Sequence, residues 1–310
     1  MNTSASGLQQ PLMVYIAGYG RSGSTLLDMI LGSHEDIIGT GELTFLFNEV
    51  LAGRPCACGQ PLVDCSLWGP VLERVRKSGF TWHEAAAITR DSDGLLSRHP
   101  DPAGYATLWT ELITALRDES GRSVVVDSSK SARRTVRRTR MLRAHTPNSL
   151  RTIHLVRDPA DVMRSVERGT NTSLEAGVEG GTRLGVLRSL LGWIVANTLV
   201  EFVRRRSREP LLLVRYEDLV GDPRATLGRV GAFIGCDLSA VASQVTAGEI
   251  PAGHGVGGNR MRRGPAVRLQ APDRSGSPPT PPYVRLLALL VWPLRRRYGY
   301  RETRDVSGAA

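Results

Sequence analysis

Residues 12–34 read LMVYIAGYGRSGSTLLDMILGSH, and this stretch decides the fold. Its first seven residues are an apolar run ending in glycine, the pattern of a strand buried on both faces. A Gly/Ser turn follows, and TLLDMILGSH then spaces its apolar residues as a helix does. Gly18 and Gly23 stand at the separation of a phosphate-binding loop, with Thr25 where such a loop carries its Ser or Thr. Backbone N–H groups of such a turn, with the helix N-terminus behind them, form a cradle for an anion. The lysine that nucleoside triphosphatases set on the β- and γ-phosphates is absent. Ser24 takes its place and the cation is displaced to Arg21, so ordinary ATP or GTP hydrolysis is disfavoured.

Farther along, SVVVD (123–127), RTIHLV (151–156) and LLLVRY (211–216) are three more strand-like runs. Helical patterns separate them, a basic one over about 131–144, a long one over 184–206 and a shorter one over 224–234. Asp158-Pro159 sets an N-cap before a proline at the first helical position. This alternation predicts an α/β fold, a P-loop NTPase-like parallel β-sheet flanked by helices on both faces. One domain is expected over 1–310. Residues 12–165 carry the phosphate loop, with a Cys-containing helical insertion at about 50–120; residues 166–310 form a helical, ligand-covering part. The stretch 37–47 reads as a loop or short strand, 248–282 as a long irregular segment, and 283–297 as a last helix. Ligands of such sheets bind beyond the C-terminal strand ends, which points to the residues just after 18, 127, 156 and 216.

Composition narrows the function. The 310 residues carry 40 Lys+Arg against 30 Asp+Glu, a formal charge of +10 that favours an anionic ligand. Almost all of the basic residues are arginine, Lys77 and Lys130 being the only lysines, as a GC-rich genome would give. Aromatics are 5%, too few to advertise single-strand stacking, and neither a recognition helix nor a zinc-finger spacing is present. Nucleic acid is therefore not an expected partner, and the basic stretch RRTVRRTRMLR (133–143) reads as a solvated helix face. The apolar run Leu286 to Leu294 is broken by Pro293 and falls short of a spanning helix, and the N-terminus lacks the basic and apolar regions of a secretory signal. No transmembrane segment and a cytoplasmic location are expected. The final helix, with Arg295, Arg296 and Arg297, leaves a peripheral membrane contact open.

The turn Arg21-Ser22-Gly23-Ser24-Thr25 resembles, position for position, the RSGST signature of sulfotransferases that use 3′-phosphoadenosine-5′-phosphosulfate (PAPS). The resemblance implies that Gly20, Arg21, Ser22, Gly23, Ser24 and Thr25 hold the 5′-phosphosulfate. A second signature, an arginine followed eight residues later by a serine, is matched by Arg157 and Ser165; in the family this pair grips the 3′-phosphate. Taken alone, Arg157 reads equally well as an arginine paired with Asp158 or Asp161 at a helix start. LLLVRYEDLVGDP (211–223) is similar to the family's strand ending in a tyrosine near the adenine, which assigns Tyr216; Glu217 and Asp218 are expected to cap the turn. GHGVGGNRMRRG (253–264) looks like the late Gly- and Arg-rich segment that closes over the nucleotide, and makes Arg262 and Arg263 weaker candidates.

For the general base the resemblance favours Glu42, which stands in the GE context of bacterial members closer to the glycan- and tyrosine-modifying type than to the cytosolic steroid and phenol type. His34 is the second choice. Lys130, after VVVDSS at a strand's C-terminal end, is assigned to the leaving phosphate with Arg21 assisting, and Asp127 is expected to orient Lys130 or Ser129. The implied reaction moves a sulfuryl group from PAPS to a hydroxyl, or an amine, of a carbohydrate, lipid or secondary metabolite, with no metal required. The rival readings are a small-molecule kinase with a degenerate phosphate loop and a non-enzymatic protein binding nucleic acid or a membrane surface.

His154, on an apolar strand, reads as a core histidine, while His83, His99, His145 and His254 lack a motif. Cys56, Cys58 and Cys65 cluster in the insertion, with Cys236 remote. Cys56-Ala57-Cys58 is tighter than the usual zinc pairing, which favours free structural thiols and leaves a metal or a switchable disulfide as alternatives.

Overall fold

The computed structural model describes residues 11–93, 101–130, 135–146, 149–167, 169, 182–207, 210–258, 260–264, 266–269 and 282–300. Five strands, β1 (Leu12–Ala17), β2 (Ile37–Gly39), β3 (Val124–Asp127), β4 (Leu150–Val156) and β5 (Leu211–Arg215), form one sheet. Their order is β2-β3-β1-β4-β5 and every pairing is parallel. From β1 the chain runs to β2 at one edge, comes back through β3 beside β1, and then crosses to β4 on the other side of β1. The strand order therefore reverses at β1, and a crevice opens at its C-terminal end.

β1 shows why its run carries no polar interruption. Met13, Tyr15 and Ala17 join the core on one face while Val14 and Ile16 join the core on the other. Helix α1 (Ser24–Gly32) follows the Gly/Ser turn and buries Leu26, Leu27, Ile30 and Leu31 on the second face. The opposite face is covered by the insertion. It comprises α2 (Leu46–Leu51), α3 (Trp68–Lys77), α4 (Trp82–Asp93) and α5 (Pro102–Ser120), which bury Trp68, Val71, Leu108 and Trp109. Asp101 caps α5 by accepting from Gly104 N–H at 2.9 Å, ahead of Pro102, and Gly121 ends the helix at φ +65°.

Beyond β3 the chain forms α6 (Thr135–His145), then β4, α7 (Pro159–Glu167) and α8 (Arg183–Ser207). The basic α6 is not simply a solvated face. Arg138 is 1% exposed and its guanidinium lies on Asp127, at 2.7 Å, and on the Tyr105 hydroxyl, also at 2.7 Å. α8 is long and apolar enough over 183–206 to cross a bilayer by length and composition. Here Val186, Leu190, Trp193, Ala196 and Val200 are buried in the fold.

After β5 come α9 (Tyr216–Gly221), α10 (Pro223–Ile234) and α11 (Ser239–Ala247). The segment expected to be irregular instead contains an antiparallel pair, β6 (Glu249–Pro251) with β7 (Ala266–Arg268). The last helix is two, α12 (Pro282–Leu290) and α13 (Trp292–Arg297), broken at Val291 just before Pro293.

Candidate active site

The loop between β1 and α1 is built on backbone that side chains resist. Gly18 has φ +135°, and a Cβ there would lie 2.3 Å from the Leu155 carbonyl oxygen. Gly23, which starts α1 at φ +90°, would drive a Cβ to 2.4 Å from the Tyr216 ring. Arg21 is the one non-glycine residue with positive φ (+64°) among the described residues, a conformation that costs roughly 1–2 kcal/mol. Its guanidinium is tied down in compensation. Nη1 donates to the Ser165 carbonyl at 2.9 Å and its hydroxyl at 3.0 Å, and Nη2 donates to the Gly169 carbonyl at 2.8 Å. Arg21 thus joins the phosphate loop to the end of α7, and so links the two motifs that lie 144 residues apart.

Arg157 leaves the end of β4 and returns to the same loop. It donates to the Arg21 carbonyl at 3.2 Å and lies over the Tyr216 ring at 4.3 Å. Neither nearby carboxylate takes it. Asp158 pairs with Arg295 at 2.8 Å, and Asp161 with Arg164. Glu217 accepts from Asp158 N–H at 2.9 Å and Asp218 pairs with Arg215, so both acids support the turn. Burial pushes the Glu217 carboxyl up from the usual carboxylate range.

The third wall comes from the other side of β1. Lys130 Nζ lies 3.2 Å from Glu42 Oε1, with the side chains 9% and 15% exposed. Asp127 holds the turn that presents this lysine. Its Oδ1 accepts from Ser129 N–H at 2.8 Å and from the Ser129 hydroxyl, while its Oδ2 takes Arg138. The Ser129 hydroxyl in turn accepts from Thr44 N–H at 3.0 Å, next to Glu42. Asp127 therefore orients Ser129, whereas Lys130 is oriented by Glu42.

Gly20, Arg21, Gly23, Ser24, Thr25, Glu42, Lys130, Arg157, Ser165 and Tyr216 line one cavity of about 390 Å³, together with Leu26, Gly258 and Met261. The lining carries three cations and one carboxylate, and the N-terminus of α1 adds its dipole. Ser24 Oγ and Arg157 Nε are buried there without a hydrogen-bond partner in the protein. Buried donors are normally paired, so these two fit the oxygens of a bound anion. Together these residues can bind a polyanionic nucleotide with a cation and a carboxylate beside it.

Three sequence candidates fall elsewhere. Ser22 is fully buried and does not line the cavity. His34 bonds the backbone of Asp237 and Asp36, outside the lining. Arg262 is 2% exposed; its guanidinium lies 3.1 Å from Asp28 and 3.3 Å from the Ser128 hydroxyl. A buried guanidinium needs a carboxylate, and Asp28 supplies it while also accepting from Gly41 N–H at 3.1 Å. Arg262 therefore braces the turn that carries Glu42 rather than facing the cavity. The side chain of Arg263 lies outside the described residues. His154 is a core histidine, bonded to Asn197 at 2.8 Å. His254, which sits in no motif of its own, lies beside the three clustered cysteines.

Among solved structures, the chain is similar to a sulfotransferase domain from the curacin biosynthetic pathway, with 20% identity, 91% of this chain and 98% of that one covered, and a TM-score of 0.51. It also matches the sulfotransferase domain of the Synechococcus PCC 7002 olefin synthase (21% identity, 92% and 96% covered, TM-score 0.48). A Mycobacterium avium sulfotransferase matches more distantly (13%, 76% and 66% covered, TM-score 0.42). A search of curated proteins gave no match. The sequence model described as the sulfotransferase family matches residues 11–240, and the chain belongs to that family.

Proposed function

We propose that this sulfotransferase uses PAPS as donor and sulfates a hydroxyl, or an amine, of a small molecule or glycan. One observation carries the reading: the phosphate loop, Arg157, Tyr216, Lys130 and Glu42 all converge on a single cavity. The donor supplies an activated sulfuryl group whose departure leaves adenosine 3′,5′-bisphosphate. The loop amides and the α1 N-terminus hold its 5′-phosphosulfate. Arg157, with Ser165 beside it, holds the 3′-phosphate through charge-assisted hydrogen bonds, and Tyr216 lies against the adenine. Lys130 neutralises charge on the oxygen that leaves with the nucleotide. Glu42 accepts the proton of the attacking acceptor as the new S–O bond forms, a role worth about 10²–10⁴-fold in rate.

The ion pair between Glu42 and Lys130 then describes the protein before donor binding. Donor binding draws the lysine toward the phosphate and leaves the carboxylate as a base. We place the reaction in the cytoplasm. Incubation with [³⁵S]PAPS and pooled carbohydrate, lipid and metabolite acceptors tests this reading. A labelled product, formed with one bisphosphate per transfer and absent with Glu42→Gln, is expected. Phosphate transfer from ATP instead would make the protein a kinase.

A further inference from the structure

Three thiols and an imidazole meet away from the cavity. Cys58 Sγ lies 3.7 Å from Cys65 Sγ, and His254 Nδ1 lies 3.3 Å from Cys65 Sγ and 3.9 Å from Cys56 Sγ. All four ligand atoms fall within 4.8 Å of one another. A tetrahedral zinc ion with bonds of about 2.3 Å to sulfur and about 2.0 Å to nitrogen spaces its ligands by roughly 3.5–3.8 Å, which the observed separations bracket. A disulfide needs a sulfur separation near 2.05 Å, and no cysteine is so paired.

The backbone is shaped to present these atoms. Pro55 and Pro61 form a bridge, Cys56 N–H donates to Gln60 O at 2.8 Å, and Gly59 N–H donates to Cys56 O at 2.9 Å. Gly59 turns at φ +89°, closing the tight turn that carries Cys56 and Cys58. Cys56 and Cys65 are each 1% exposed, which shields two of the ligands from solvent. His254 is fixed from its other side, its carbonyl accepting from Trp68 Nε1 at 2.5 Å, and Gly255 O accepts from Ala57 N–H at 3.2 Å.

We propose that Cys56, Cys58, Cys65 and His254 Nδ1 bind one Zn²⁺ as a closed, structural Cys3His site. Thiolates with one imidazole in a four-coordinate shell select zinc over the oxygen-preferring cations. Each cysteine gives up its proton to solvent as the metal binds. The site ties the insertion to a segment 189 residues away that builds a cavity wall. Two residues past His254, Val256 N–H donates to Thr40 O and Val256 O accepts from Glu42 N–H, both at 2.8 Å. Gly258, two further on, lines the cavity. The metal therefore fastens the backbone that positions Glu42, whichever donor the cavity takes.

The test uses the full chain, purified under reducing conditions without chelator and then reconstituted with Zn²⁺. Elemental analysis should find about one zinc per chain, removed by a strong chelator with exposure of the ligand thiols. Co²⁺ in its place should give the intense visible bands of a tetrahedral site and near-ultraviolet thiolate charge transfer. With zinc bound, alkylation should reach Cys236 alone; after removal, all four cysteines. Cys65→Ser and His254→Ala should lose stoichiometric zinc. Should these variants fail to fold, the wild-type protein decides. Folded wild type that takes up no stoichiometric zinc, with all four thiols alkylated equally with and without the metal, overturns the proposal.

Discussion

Replacing Glu42 by glutamine is expected to cut turnover sharply and yet tighten nucleotide binding. Glu42 Oε1 lies 3.2 Å from Lys130 Nζ, and both side chains are largely buried. At an effective dielectric of about 20, two unit charges at that distance attract by about 5 kcal/mol, much of it offset by desolvation of the two ions. An anion entering the cavity must draw Lys130 away from this partner, and glutamine leaves only a neutral hydrogen bond to break. If about 1.4 kcal/mol of the attraction survives as a net cost, adenosine 3′,5′-bisphosphate should bind the variant about tenfold more tightly. Turnover should fall by about 10²–10⁴-fold through loss of the base. Calorimetric titration gives the first quantity and bisphosphate release from PAPS the second. Unchanged turnover would remove Glu42 from the chemistry. Lost turnover with weakened binding would instead mean that Glu42 only holds the cavity wall together.

Two other perturbations probe separate parts of the account. Arg157→Ala should weaken adenosine 3′,5′-bisphosphate by about 10- to 100-fold, the worth of charge-assisted hydrogen bonds, while AMP changes by less than about 3-fold. Equal losses for both nucleotides, measured by calorimetry, would assign Arg157 to bracing the loop through the Arg21 carbonyl. Burial pushes the His154 imidazole down to about 4, against the pull of its bond to Asn197. The unfolded chain takes up that proton first, near pH 6.5, so stability is full above that value and falls as pH drops toward 4, by at most about 3 kcal/mol. Urea midpoints across that range should show the fall, and His154→Gln should shrink it; an identical profile in the variant would refute the assignment.

What the sequence discloses depends on how local the cause is. The β1–loop–α1 unit is written in contiguous residues, because strand burial, the glycine turn and the helix are all short-range demands. The Arg157 and Ser165 motif is equally local, eight residues on one strand end and one helix. The pair of Glu42 with Lys130 spans 88 residues; the family resemblance and their placement after two strand ends put them at one site, but their direct contact is not written in any local pattern. Arg262 looks like a nucleotide ligand in its arginine-rich stretch, yet the buried carboxylate of Asp28, 234 residues earlier, claims it. Arg138 likewise hides among basic residues and serves Asp127 in the core. His254 carries no pattern of its own, since the feature that makes it notable is the cysteine block brought to it by the fold. The Gly- and Pro-rich stretch before the last helices conceals β6 and β7 because each is only three residues long.

The central claim is that the cavity reads a 3′-phosphate. Calorimetric titration of the wild-type protein with adenosine 3′,5′-bisphosphate, AMP and ATP with Mg²⁺ tests it without any acceptor. The account predicts tight binding of the bisphosphate, with AMP weaker by about tenfold or more, since one charge-assisted phosphate contact is worth about 1.5–3 kcal/mol. Equal affinity for AMP and the bisphosphate, or a preference for ATP with Mg²⁺, would contradict it.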